Sequence, residues 1–388
     1  MIDFDKDSIV PAINATTRIK VVGVGGAGGN TINSMINQKL EKIDFIAANT
    51  DAQALQTSKA PINIQLGLKV TKGLGAGSNP DLGKRAAEED LDTIYKELEG
   101  ADIVFLVGGL GGGTGSGALP VIAQALKERS ILTIAIVTLP FSFEGSRRAK
   151  VAEQAVQALQ KNVDTLIVIP NQKLLDGNQK KVSLVNAFGM VNSVITQCIK
   201  SIYDIITNPG HINVDFADVK AILKDKGFAI MCSGRAQGEN RALNAVNQAL
   251  SSPLLGEHSI QGAQGILLNI TGSNNLSLDD VEKAASELQS KAHPDANIIM
   301  GLVFDESEQD ISITIIATGF ERVLEKPKPT APVHETKPEI VIKSAQEKQP
   351  SVVVAPQEAS SAEAEADIEV PTILRRMVQE KQAQQKNN

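Results

Sequence analysis

Three glycine-rich stretches hold the residue types that could do chemistry. The first, IKVVGVGGAGGN at 19–30, sets Gly23, Gly25 and Gly28 in the G-x-G-x-x-G spacing of a dinucleotide-binding turn. The second, GGLGGGTGSG at 108–117, carries so few side chains that backbone N–H groups can close around phosphate oxygens, and Thr114 and Ser116 add hydroxyls. The third, KGLGAGSNP at 72–80, opens a helix that Asn79 can cap with Pro80 in its first position. Read as lying at the ends of three strands, the turns converge on one edge of a sheet, where ligands of such folds bind. A dinucleotide site would also need an acidic residue about 20 positions on, at the end of the second strand. Asp44 precedes that strand and Asp51 lies beyond the spacing. GSNPDLGKR at 77–85 has one residue too many between its glycines for a Walker A loop, and no Ser or Thr after its lysine. Three such turns favour a triphosphate.

The elements that must position these turns read as runs and periods. VVGVG (21–25), FIAAN (45–49), DIVFLVGG (102–109), LTIAIVTL (132–139) and TLIVIP (165–170) are apolar runs of buried-strand length. Amphipathic stretches such as NPDLGKRAAEEDLDTIYKEL lie between them, which predicts an α/β, Rossmann-like fold with a mostly parallel sheet. Phe188, Ile195, Ile199, Ile202 and Ile206 recur at helical spacing up to Asn208-Pro209-Gly210, so one long central helix is expected. A smaller α+β domain follows, with strands near 228–236, 265–271, 298–304 and 311–318 and helices near 239–251 and 278–291. Ser277 and Asp280 form a capping box for the last of these. The expected domain plan is a flexible segment at 1–17, a nucleotide-binding domain at 18–181, the central helix at 182–208 and the α+β domain at 209–321. Residues 326–366 hold six of the 16 prolines and no aromatic residue follows Phe320, so 322–366 should be a disordered linker. At 367–388, Ile368, Val370, Ile373, Leu374 and Met377 stand beside Arg375 and Arg376. That pattern fits a docking peptide or a solvated tail.

Composition narrows the function classes. Hydrophobic residues at 42% and charged residues at 21% are ordinary for a globular protein. A net charge of -7 leaves no surplus of Lys and Arg to displace counterions, so no nucleic-acid partner is expected. Cys198 and Cys232 lack a C-x-x-C neighbour, which argues against a disulfide framework or a zinc site; no metal-ligand set is nominated. The start, MIDFDKDSIV, is acidic where a secretory signal would be basic, and ILTIAIVTL is too short to span a bilayer. A cytoplasmic protein without direct membrane insertion is expected.

GGGTGSG is the signature of the tubulin superfamily, and its surroundings resemble the bacterial branch of the tubulin/FtsZ GTPases. The resemblance covers about 18–320, through IKVVGVGGAGGN, ANTDAQAL, TKGLGAGSNP, GGLGGGTGSG, PFSFEGSRR, IPNQKLL and NVDFADV. It implies GTP/GDP and Mg²⁺. By that likeness Gly25, Gly26, Ala27, Gly28, Gly29 and Asn30 would hold the nucleotide. Gly111, Gly112, Gly113, Thr114, Gly115, Ser116 and Gly117 would surround its phosphates. Asn49, Thr50, Asp51 and the turn Gly75, Ala76 and Gly77 would lie near the γ-phosphate and Mg²⁺. Glu144 and Arg148 would contact ribose and phosphate, and Asn171 and Phe188 ribose and base. The catalytic loop would be HINVDFADVK at 211–220, with Asn213, Asp215 and Asp218. Carboxylates can orient and polarise an attacking water.

Phe188 and Asp215 are roughly 30 Å apart along the predicted helix, too far for these acids to reach their own chain's γ-phosphate. They could reach the next subunit's in a head-to-tail homopolymer. The resemblance further implies a cytokinetic ring at the midcell division site, on the inner face of the membrane. Residues 367–388 would bind membrane tethers and division regulators of the FtsA, ZipA and MinC kinds.

Two departures qualify this. Most of that family carries an aspartate where this chain has Ser193, after Asn192, and that aspartate accepts two hydrogen bonds from guanine. Ser193 cannot accept both, a loss of about 1–3 kcal/mol. Either GTP binding or guanine discrimination is weaker here, or Asn192 or a water covers the base edge. In the tail, Ile373 replaces an aromatic anchor and two residues are inserted before Pro371. Two other readings stay open: a divergent nucleotide-binding filament or regulatory scaffold with weak GTP hydrolysis, and an NAD-dependent oxidoreductase.

Overall fold

The apolar runs pair into one mixed sheet. The computed structural model describes residues 17–320 apart from 39, 41, 177–181, 208–213, 256–259 and 306–309. The expected flexible N-terminal segment, the linker and the docking peptide lie outside the described residues, save Thr17. The first half runs β1 (Ile19–Val24), α1 (Gly25–Asn37), β2 (Ile43–Asn49), α2 (Ala52–Gln56), β3 (Ile62–Gln65), α3 (Leu68–Thr71), α4 (Pro80–Glu89) and α5 (Leu91–Leu98). It continues through β4 (Ile103–Gly109), α6 (Thr114–Glu128), β5 (Leu132–Leu139), α7 (Ser146–Gln160), β6 (Thr165–Pro170) and α8 (Asn171–Asp176). The long α9 (Leu184–Thr207) leads to α10 (Phe216–Leu223), β7 (Gly227–Ala236) and α11 (Arg241–Leu250). β8 (Gly265–Gly272), α12 (Leu278–Lys291), β9 (Asn297–Phe304) and β10 (Ile311–Thr318) complete it.

The strand order is β3-β2-β1-β4-β5-β6-β7-β10-β8-β9. Strands β1 to β6 are parallel; β7 joins β6 through a short register opposite Thr165–Ile167, and β10 runs antiparallel to both β7 and β8. Side chains alternate across each strand, so parallel strands covered on both faces need apolar residues at every position. Ile19 and Val21 of β1 enter one core with Phe105, Ile134 and α9, while Val22 and Val24 enter the opposite core with Leu106, Leu119 and Ala86. A third core fills the second half around Ile266, Leu268, Ile313 and Ile315. The central helix packs Ile195, Cys198, Ile199, Ile202 and Ile205 into the first core, beside Met231, Leu267 and Ile316 of the second half.

Two expectations need correction. The stretch read as one amphipathic helix is two, α4 and α5, broken at Asp90, whose carboxylate accepts the Gly67 N–H. The turn at 72–80 follows the short α3, not a strand.

Candidate functional site

Strands β1 and β4 are neighbours in parallel register, Ile19 opposite Ile103 through Val24 opposite Gly108. The strand order reverses between them, and a crevice opens outside their carboxyl ends, where ligands of doubly wound sheets bind. The first two glycine loops start there, each feeding a helix. Gly25 has a φ of +73°, which lets α1 begin directly after β1. A Cβ on Gly25 would lie 3.2 Å from the Gly115 nitrogen and 3.3 Å from Thr114 Cβ, so the two loops touch.

The glycines of GGGTGSG divide by role, which composition could not reveal. A Cβ on Gly117 would come within 2.1 Å of the Pro80 carbonyl oxygen, and one on Gly115 within 2.4 Å of the Gly109 oxygen. A Cβ on Gly113 would lie 2.8 Å from both Ala76 Cβ and the Asn79 nitrogen. Those three are small so that α6 can lie against α4 and β4. Gly112 and Gly29 would meet nothing within 4 Å, so their bareness leaves open space above the loops. Helices α1 and α6 start without a side-chain cap and without an acid in the first turn. Their N-terminal N–H groups and the positive ends of both helix dipoles therefore suit an anion. Asp51 and Asn79 cap the neighbouring α2 and α4.

The third turn is drawn against this pair. Gly75 N–H donates to Thr50 O at 3.1 Å, Ala52 N–H to Gly73 O at 3.0 Å, and Asp51 and Leu74 form a β-bridge. Thr50 Oγ1 lies 2.7 Å from Thr114 Oγ1, which ties the end of β2 to the second loop. Asn49 Oδ1 accepts the Asp51 N–H, and Asp51 Oδ1 accepts those of Gln53 and Ala54. Gln65 and Thr71, not singled out by sequence, donate to the Thr50 carbonyl and hold this corner. Gly77 is open, while Ala76 is buried against Gly113. Gly26 and Asn30 line the hollow over α1 together with Gly25, Gly29 and Asn49; Ala27 is exposed.

Glu144 and Arg148 form an ion pair, and the other Glu144 oxygen accepts the Phe141 N–H at 3.0 Å. The backbone of Arg148 lies against Gly111, so the pair borders the second glycine loop. Phe141 stacks on Phe143 with centroids 5.2 Å apart and meets Phe188 edge-on at 5.3 Å. Phe143 is 63% exposed, an aromatic that sequence reasoning passed over. Asn171 begins α8 and is buried, with its Oδ1 lacking any partner in the described structure. A buried acceptor left unmatched costs about 1–3 kcal/mol, so a donor from a ligand fits there. Ser193 is exposed and its hydroxyl donates to Gly189 O at 3.0 Å, within its own helix. Asn192 Oδ1 accepts from Thr31 at 3.1 Å, which ties α9 to α1.

The acidic loop stands apart. The 24 residues of α9 span about 36 Å, and α10 lies beyond its far end, packed on β8 and β9. Asp215 and Asp218 are exposed; Asp215 caps α10, its Oδ1 accepting the Asp218 N–H at 3.0 Å. Asn213 lies outside the described residues. Cys198 and Cys232 are free, and burial pushes each thiol up to about 12. Among the described residues no cluster of three His, Cys, Asp or Glu could hold a metal, and no helix is long and apolar enough to cross a membrane.

An α/β sheet whose switch-point crevice has open glycines, uncapped helix starts and an unmatched asparagine suits a nucleotide's phosphates. The model of the Tubulin/FtsZ family GTPase domain matches residues 18–179, and that of the FtsZ family C-terminal domain matches 227–321. Over 306 residues the chain is 48% identical to cell division protein FtsZ 1 of Rhizobium meliloti (strain 1021), covering 79% of this chain and 52% of that protein. Identity is also 48% over 307 residues to cell division protein FtsZ of Rhizobium radiobacter, covering 79% and 53%. The chain spans about half the length of these curated relatives. The solved FtsZ dimer of M. jannaschii superposes with a TM-score of 0.75 at 41% identity, covering 78% of this chain and 88% of that one. The chain belongs to the Tubulin/FtsZ family.

Proposed function

We propose that this chain is a cytoskeletal GTPase that polymerises head to tail, hydrolyses GTP between subunits and forms the cytokinetic ring at the division site. The observation that carries the reading is the separation of two half-sites by the length of α9, phosphate loops at one end and Asp215 with Asp218 at the other. GTP sits in the β1–β4 crevice, its phosphates on the N–H groups of α1 and of Gly111–Gly117. Asn171 Oδ1 accepts from the ribose, and Phe188 covers the base with Phe141 behind it. Glu144 and Arg148 hold the ribose side of the phosphate loop.

Mg²⁺ keeps several waters and binds through substrate phosphates at nucleotide sites, which suits a corner where Asp51 supplies the nearby carboxylate. The acids of an adjacent subunit orient the attacking water from the open side, beyond Gly112 and Gly77. Asn213 belongs to this catalytic loop by its family motif. The solved FtsZ of M. jannaschii is a dimer, which supports self-association here. Residues 18–181, 182–208 and 209–321 act as nucleotide domain, connecting helix and acid-bearing domain. Residues 367–388 serve as the peptide for membrane tethers and division regulators.

The test is phosphate release against protein concentration with GTP and Mg²⁺. Turnover per subunit rises steeply above a threshold, with filaments visible by electron microscopy only above it. Turnover independent of concentration would overturn hydrolysis between subunits, and none at any concentration would leave a nucleotide-binding scaffold.

A further inference from the structure

Away from the crevice, α6 floors a groove between α4–α5 on one side and α7 on the other. Its start is set by Gly117, which admits the Pro80 carbonyl, and by Gly83, where a Cβ would lie 2.3 Å from Gly113 O. From there the groove runs along α6 toward Glu128, with a cavity volume of about 480 Å³. Pro120, Val121, Leu91 and Ala155 give an apolar floor, and Asp81, Glu88 and Glu128 stand among the lining residues. Lys84 is the cation of that lining, and it pairs with Glu88 at 3.8 Å. Arg129 lies over the Tyr95 ring at the far end. Apart from Ser116 and Gly117 at its head, these residues take no part in the proposed nucleotide site.

We propose that the groove receives the end segment of its own chain, residues 371–378. In a helix opened by Pro371, Ile373, Leu374, Met377 and Val378 would share one apolar face, with Arg375 and Arg376 at its flank. That segment matches the groove in kind: an apolar stripe for an apolar floor, two guanidiniums for a lining richer in carboxylates. Reach is sufficient, because the 50 residues between Phe320 and Pro371 would, as a random coil, have a root-mean-square span of about 40 Å. Ser116 Oγ accepts the Gly111 N–H at 2.9 Å, so the helix that floors the groove also orders the phosphate loop. The docked segment would be withheld from outside partners until it is displaced. The proposal does not depend on GTP hydrolysis and stands or falls separately from it.

Disulfide trapping in the full-length chain tests it, using Gln154→Cys with Thr372→Cys; Cys198 and Cys232 are buried and do not compete. A monomeric, faster-migrating oxidised species is expected at low protein concentration. Adding Leu374→Asp with Met377→Asp, which leaves the described fold untouched, should lower its yield at least fivefold. Arg375→Glu with Arg376→Glu should do the same, and Glu88→Lys with Glu128→Lys should restore it. No internal cross-link, or a yield indifferent to these changes, overturns the proposal. Cross-linked dimers in place of the internal species would also overturn it, and would put the segment of a second copy in the groove.

Discussion

Helix N-termini in this molecule follow two plans. Helices α2, α4, α10 and α12 are capped by Asp51, Asn79, Asp215 and Ser277, each accepting N–H bonds of the first turn. Such caps stabilise by about 1 kcal/mol apiece. Helices α1 and α6 have neither cap nor first-turn acid, a lack they share with α3, α7 and α11, but they begin beside the open glycines at the switch point. A carboxylate there would satisfy the helix and repel a phosphate. The difference teaches that a bare helix start marks an anion site only where open glycines and a strand switch point lie beside it, as at α1 and α6. Asp215 shows the opposite economy: one side chain both caps α10 and supplies the proposed acid.

The comparison can be broken most sharply at Asp215. Asparagine caps a helix as well as aspartate does, so Asp215→Asn should leave the melting temperature within a degree or two. GTP turnover should nevertheless fall about 100-fold, with nucleotide binding retained, because positioned acid–base groups contribute that much or more. Equal turnover in the variant would show that this residue is a cap and nothing else.

The glycines of the second loop sharpen the contrast next. Gly117→Ala forces a methyl against Pro80 and should cost about 1–3 kcal/mol in denaturant unfolding. Gly112→Ala meets no protein atom, so stability should hold while nucleotide affinity drops about tenfold in a titration. If both variants lose stability alike, the division into packed and open glycines is wrong.

The smallest effect is expected at the base. Ser193 donates into its own helix and offers no charge, so Ser193→Asp should raise the ratio of GTP to ATP affinity severalfold. An unchanged ratio would mean that Asn192, held by Thr31, already covers the base edge.

Much of the fold was legible because its signals are local. Short β-branched runs such as LTIAIVTL read as strands buried on both faces, and the caps Asn79-Pro80 and Ser277 with Asp280 lie within a few residues of the helices they start. Strand β3 escaped notice because INIQ is short and half polar. The break between α4 and α5 also escaped, since the amphipathic period runs through Asp90 and only the distant Gly67 N–H gives that carboxylate its place. Of the candidate site, the loops were visible in composition, while Thr31 with Asn192, and Phe141 with Phe188, pair residues that no motif links.

By itself the sequence determined the alternation of strand and helix, the three glycine turns and the acids beyond a long helix. Each depends on residue type and short spacing, which propensity and periodicity report. The tertiary structure alone decided which glycines are packed and which are open. It also left α1 and α6 uncapped at one crevice, and it matched no donor to Asn171. Those outcomes depend on what the rest of the chain brings within a few ångströms. A missing side chain means close packing where a backbone presses on it, and room for a ligand where nothing does.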